Sequence, residues 1–216
     1  RREPSKPVEA DGRSAVFVKA DIREAAQAQK VIDQCMAETG RLDILVNNAG
    51  GSPPVEAATA SPVITDKIIQ LNLVAPLVLS QMAYSAMSAT KESANIINIA
   101  SVSGARPSPG TAAYGAAKAG LLSATKSLAQ EWGPGVRVNA IIVGLVHHDA
   151  GIEHYGGPEG FAKVAQMLPL KRMAEPTDIA DACLYLSSQQ AAYVSGASLE
   201  VDGGGEVPVF LHLADQ

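Results

Sequence analysis

Short apolar runs alternate with longer amphipathic ones along the chain, and this alternation reads as βαβα. Ala15–Ala20 (AVFVKA) reads as a short strand. Glu24–Thr39 has helical spacing, with Val31, Ile32, Cys35 and Met36 on one face, and Gly40 is placed to close it. Leu42–Val46 (LDILV) is the next strand, and Asp66–Met87 a long, mostly apolar helix expected to be buried on more than one side. Asn95–Ala100 (NIINIA) is a strand and Thr111–Trp132 a second long helix, rich in Ala and Gly. Val136–Val143 (VRVNAIIV) is a strand, Pro176 suits the first turn of a helix running to about Ser188, and Ala197–Val201 is a last strand.

Five strands separated by helices predict a single α/β domain over residues 1–216. Its mostly parallel, doubly wound sheet would lie between two helical layers. In such sheets ligands bind beyond the carboxyl ends of the strands. The loops after Ala20, Val46, Ala100 and Val143 are therefore expected to share one rim.

Composition narrows the class. Hydrophobic residues make up 47% and charged residues 18%, as in ordinary globular chains, and aromatics only 4%, so the core must be aliphatic. The net charge of −5 comes without a basic block, which argues against nucleic acid or an anionic membrane as partner. No unbroken apolar run approaches ~18 residues, so no membrane span is expected, and no secretory leader pattern is read. Cys35 and Cys183 are expected as buried, reduced thiols, and the location as cytoplasmic.

Three features carry candidate chemistry. Asn47-Asn48-Ala49-Gly50 follows the strand LDILV directly, and small residues there let a cofactor approach the backbone. Ser101 stands just past NIINIA. Tyr114 and Lys118 are four residues apart on a helix and share a face. Each alone also fits a structural reading: a plain turn, a helix cap, a surface stacking pair. Their joint occurrence favours a site. A free Tyr titrates near 10. A cation ~5 Å away at an effective dielectric of ~20 would favour the phenolate by roughly 3 kcal/mol, about two pH units. That makes Tyr114 a base for mildly alkaline pH.

With these residues in place, the sequence resembles the short-chain dehydrogenase/reductase family. The matching stretches are Asp21 after its strand, NNAG at 47–50, Asn72 in IIQLNLVAP, INIASVSG at 97–104, YGAAK at 114–118, RVNAIIVG at 137–144 and VSGASLEVDGG at 194–204. The resemblance implies a Rossmann-like fold and hydride transfer between NAD or NADP, with NAD favoured, and a secondary alcohol or ketone. It implies Tyr114 as acid/base, Ser101 holding the substrate oxygen, and Lys118 bonding the nicotinamide ribose and lowering the Tyr114 pKa. Asn72 would kink its helix and hold a water on the proton path. Asp21, with Ile22 beside it, would receive the adenine. Asn47, Ala49 and Gly50 would lie along the adenosine ribose. Gly144, Val146 and His148 would line the nicotinamide end.

The departures are informative too. The family's glycine-rich phosphate turn, TGxxxGxG, is not in these 216 residues, nor is the residue that sorts NAD from NADP. Arg1-Arg2 reads as lying just beyond that position, so a strand, glycine-rich turn, helix and second strand are expected before Arg1. The usual Pro-Gly is Val143-Gly144 here, and a customary Thr is His148, expected to donate to the carboxamide or a phosphate. His147, His148 and His154 lack the spacing of a metal set, and no metal is expected. Tyr155, Phe161, Met167 and Leu168 fall in the segment that covers substrate in this family and suggest a medium or bulky apolar one: a hydroxysteroid, another cyclic alcohol or a 3-hydroxyacyl thioester. The apolar tail Val207–Leu213 suggests packing against a partner subunit, as a homodimer or homotetramer. The competing readings are a dehydratase or isomerase on the same scaffold, a non-catalytic subunit, and a serine hydrolase at Ser101. The hydrolase lacks a Gly-x-Ser-x-Gly elbow.

Overall fold

The computed structural model describes residues 14–88, 94–147, 152–153 and 155–208. In chain order these form α1 (Ala25–Thr39), β1 (Ile44–Asn47), α2 (Pro62–Ile69), a π turn (Gln70–Val74), α3 (Ala75–Met87), β2 (Ala94–Ile99), a 3-10 turn (Val102–Gly104), α4 (Ala112–Trp132), β3 (Val136–Val143), α5 (Gly157–Met167), α6 (Pro176–Ser187) and β4 (Ser198–Val201). The four strands run parallel in the order β1-β2-β3-β4, with Val46 beside Ile97, Ile97 beside Asn139 and Ile141 beside Leu199.

Strand alternation sends side chains to two faces. Ala94 and Ile96 of β2 and Val136 and Val138 of β3 meet Ala28 and Ile32 of α1 and Leu79, Ala83 and Met87 of α3. Ile97 and Ile141 meet Leu186 of α6 on the other face, with Ile99, Val143 and Cys183 around them. Helices thus cover both faces, as the α/β reading requires. Tyr84 stacks on Trp132 at 4.7 Å, tying the ends of α3 and α4.

Element boundaries follow local chemistry. Gly40 closes α1 in the left-handed region at φ 71°, where a side chain would be strained. Ser61 caps α2, its hydroxyl accepting from the Ile64 amide, and Pro62 stands in the first turn, so this helix begins four residues before the expected Asp66. Pro76 has no N–H for the carbonyl four residues back, at Asn72, and the helix widens into the π turn there. The Glu175 amide donates to Asp178 Oδ2 at 2.7 Å and fixes the start of α6.

Several expectations are corrected. Ala15–Ala20 forms no strand: no described segment lies beside it to complete a ladder, and Val16 and Phe17 are 56% and 66% exposed. The described sheet therefore has four strands, not five. The segment after β3 holds a helix, α5, with its own small core of Ala165, Leu168 and Met173 packed by Leu145, Tyr155 and Phe161. The continuous helix Pro62–Met87 is, by length and composition, long and apolar enough to cross a membrane, a property missed by counting unbroken apolar runs. In this fold its inner side packs on the sheet. The tail beyond Pro208 and residues 1–13 lie outside the described residues.

Candidate active site

The carboxyl ends of β1, β2 and β3 meet one helix face. The π turn places Asn72 fully inside, where Oδ1 accepts from the Gly51 amide at 2.8 Å and Nδ2 donates to the carbonyls of Gly51 and Ile68, both at 2.9 Å. The Asn72 carboxamide thus clasps the loop after β1. A Cβ at Gly50 would stand 2.7 Å from Asn72 Oδ1 and 3.2 Å from Lys118 Nζ, so only glycine lets this loop lie over both.

Lys118 is 4% exposed, and its ammonium donates to the carbonyl of Ile99, the last residue of β2, at 2.7 Å. Its Nζ stands 5.6 Å from the centre of the Tyr114 ring, close to the separation expected from the four-residue spacing. Ser101 begins the 3-10 turn and its hydroxyl accepts from the Ser103 amide at 3.2 Å, so the capping role is real. The same side chain also acts on the Tyr114 hydroxyl, lowering its pKa. Gly104 makes the approach possible: a Cβ there would lie 2.7 Å from the backbone of Lys118 and Ala119. Gly115 faces the Ser103 carbonyl in the same contact, so the small run in YGAAK first serves the Ser101 turn.

Burial pushes the Tyr114 hydroxyl above its usual range, and the Ser101 bond pulls it partly back. Burial alone lowers Lys118 to about 8. In the free chain, burial is the larger influence on the Tyr114 hydroxyl and the Ser101 side chain the smaller.

The other expected residues fall differently. Asn47 is 7% exposed, and its Nδ2 donates to Ser80 Oγ at 2.9 Å and Asn98 Oδ1 at 2.8 Å. Its side chain belongs to the interior, not to the rim, because β1 extends one residue past Val46 and alternation turns Asn47 inward with Leu45. Ala49 and Gly50 are exposed at the rim. Asn48 and Val146, with Ile99 and Val143, line a groove of about 730 Å³ that continues along α6 to Cys183. The Gly144 amide donates to the Val201 carbonyl at 3.0 Å. Asp21 is held by Arg23, 2.5 Å from Nη2, which keeps its carboxyl down at about 2; Ile22 is half-buried beside it. His148 and His154 lie outside the described residues. His147 pairs with Glu175 at 3.1 Å and leans on the Phe161 ring at 5.2 Å. Among the described residues no group of side chains is arranged to hold a metal.

Sequence reasoning missed a second cavity, of about 220 Å³, beside the Ser101 turn. It is lined by Val102, Arg106, Ile142, Leu145, Leu168 and Glu206. Arg106 and Glu206 form an ion pair across it, joining the Ser101 turn to the segment after β4. Their separation of 100 residues left no sequence signal.

A buried Tyr–Lys pair with a Ser on the phenol and an Asn behind the lysine can hold a carbonyl or alcohol oxygen and move a proton to or from it. Residues 2–206 match the family profile described as enoyl-(acyl carrier protein) reductase. The chain is 35% identical over 202 residues to the putative ketoacyl reductase 2 of the granaticin polyketide synthase of Streptomyces violaceoruber, covering 89% of this chain and 78% of that protein. It is 34% identical over 204 residues to 3beta-hydroxysteroid dehydrogenase 1 of Eggerthella lenta, covering 94% and 78%. Among solved structures, a 7 alpha-hydroxysteroid dehydrogenase complexed with NADH and 7-oxo glycochenodeoxycholic acid superposes with a TM-score of 0.87 at 30% identity, covering 93% of this chain and 78% of that one. The chain belongs to the short-chain dehydrogenase/reductase family and is an NAD(P)-dependent oxidoreductase acting on alcohols.

Proposed function

We propose that the chain oxidises a bulky, largely apolar secondary alcohol, or reduces the corresponding ketone, with Tyr114 as acid/base. The observation that carries this reading is the convergence of Ser101, Tyr114, Lys118 and Asn72 on one buried point at the strand ends. Ser101 donates to the substrate oxygen, and Tyr114 takes the hydroxyl proton in oxidation or returns it in reduction. When bound, the oxidised nicotinamide supplies the hydride acceptor. The residues present fit its riboside half: Gly50 leaves room over Lys118, and Lys118 carries three N–H donors of which Ile99 takes one. For Tyr114 to act as base at mildly alkaline pH, Lys118 must keep its proton. A further acceptor such as a ribose hydroxyl serves that need.

The apolar wall of Val102, Ile142, Leu145 and Leu168 supports a cyclic alcohol of hydroxysteroid type, and the hydroxysteroid relatives point the same way. A 3-hydroxyacyl thioester is the second candidate, favoured by the ketoacyl reductase relative. The complete Ser–Tyr–Lys–Asn set supports turnover over a non-catalytic subunit. NAD is favoured over NADP because the steroid-bound neighbour holds NADH. The free thiols Cys35 and Cys183 suit a reducing cytoplasm. The test is absorbance at 340 nm with NAD and NADP against panels of steroid alcohols, small cyclic alcohols and 3-hydroxyacyl thioesters. Steroid or cyclic alcohols should give the fastest NAD reduction; turnover confined to the thioesters would overturn the substrate class.

A further inference from the structure

Beneath the site lies a layer of polar side chains that the proposed reaction does not use. Asn47, Ser80, Asn98 and Thr125 are 7%, 1%, 1% and 0% exposed. Asn47 Nδ2 donates to Asn98 Oδ1 at 2.8 Å, Asn98 Nδ2 donates to Thr125 Oγ1 at 2.9 Å, and Thr125 Oγ1 donates to the Leu121 carbonyl at 2.8 Å. Below this layer the contact between α4 and the sheet is aliphatic, with Val138 and Ile96 on the sheet side, and carries no directional bond to fix the helix height. Two side-chain bonds tie α4 to β2: Asn98 to Thr125, and Lys118 to the carbonyl of Ile99. Asn98 and Ile99 share a peptide unit, and Lys118, Leu121 and Thr125 follow one helix face at spacings of three and four.

We propose that Thr125 is a positioning residue for Lys118: its bond to Asn98 sets the height of α4 over β2 and so holds the ammonium on Ile99 and beside Tyr114. Asn98 is the strand half of the same clamp. This rests on the reading of Lys118 as part of the site, yet it concerns the apoprotein and is measured there. Tyr114 on its own helix, the Ile99 carbonyl and Ser101 from β2 and its turn, and Asn72 and Gly50 from the π turn and the β1 loop surround Lys118. Among the described residues no carboxylate acts on it, and burial is the single cause that lowers its pKa.

The test uses the full chain labelled with 13C/15N lysine, the Lys118 signal being assigned by its loss in Lys118→Met. In the parent, Lys118 should titrate near 8. In Thr125→Val and Thr125→Ala the loosened clamp admits water, and the midpoint should rise by about half a pH unit or more. Thr125→Ser keeps the hydroxyl and should titrate like the parent. Leu128→Ala, an apolar truncation on the same helix, should lower Tm without moving Lys118. With any alcohol found active, kcat should fall about ten-fold in Thr125→Ala and return to within about two-fold in Thr125→Ser. If Thr125→Val and Thr125→Ala lower Tm but leave the Lys118 midpoint in place, Thr125 only stabilises the fold. If Thr125→Ser is displaced as far as Thr125→Ala, the hydroxyl is not what matters; that comparison stands even where the Val protein does not fold. Loss of all turnover in the parent with the Lys118 shifts intact would sink the proposed function and leave the clamp standing.

Discussion

Lys118 is the residue on which the site's chemistry and its stability meet. Its folded pKa of about 8 lies below the ordinary 10.5. Between those values the unfolded chain binds more protons than the folded one, so stability rises with pH across that window. Below pH 8 the buried charge is a standing penalty of about 3 kcal/mol. Lys118→Met removes it. The variant's Tm, relative to the parent, should therefore be more favourable at pH 7 than at pH 10, while turnover drops steeply. An equal Tm difference at both pH values would show that Lys118 is not desolvated as described. The Tyr–Lys spacing was legible because one helical turn makes it a local feature. The polar layer below was not. Asn98 and Asn139 read as ordinary members of apolar strands, and Asn47 read as part of a rim turn, because the inward alternation depends on where β1 ends.

At the scale of elements, the 3-10 turn after β2 and the first turns of α4 are pressed together through Gly104 and Gly115. Gly104→Ala would drive a methyl into the backbone at Lys118 and Ala119, and overpacking of this kind costs about 1–3 kcal/mol. It should lower Tm and, by moving Ser101 off Tyr114, reduce turnover about ten-fold or more. Unchanged thermal unfolding in Gly104→Ala would show that the turn has slack. Helix α5 presents a milder case. His147 ties it to Glu175 and Phe161, with Val146 bridged to Ala174 below. Phe161→Ala should lower Tm by a few degrees, because the ring packs on the small core of Ala165, Leu168 and Met173 and against His147; an unchanged Tm would show that this core does not depend on it. Helices and strands with long apolar runs were legible from periodicity. α5 was not, because its residues interleave Gly, Pro and charges and its small core closes only against Leu145 and Met173. Ala15–Ala20 failed in the opposite sense: it has strand-like residues, and strand formation depends on a neighbour as well as on sequence.

The whole molecule shows apolar surface that the single chain does not cover. The inner side of Pro62–Met87 packs on the sheet, yet much of that apolar helix remains outside the core, as does much of the Ala-rich α4. Pairing of these helices across a two-fold axis would bury them, so a dimer or tetramer is expected, and light scattering that reports a monomer at micromolar concentration would contradict it. The groove bounded by Ile44, Val46 and Leu184 is likewise open, with these side chains 44%, 41% and 67% exposed. The parallel order of the sheet and the shared rim were legible from the alternation of strands and helices, since crossover connections force both. Which surfaces stay uncovered was not, because that depends on how elements far apart in sequence share one face. The central claim, that Tyr114 moves the substrate proton, is tested most directly by Tyr114→Phe assayed at 340 nm beside the parent, with nucleotide binding measured in parallel. The account predicts a loss of about 10²-fold or more in turnover with nucleotide affinity nearly unchanged; near-parental turnover in Tyr114→Phe would contradict it.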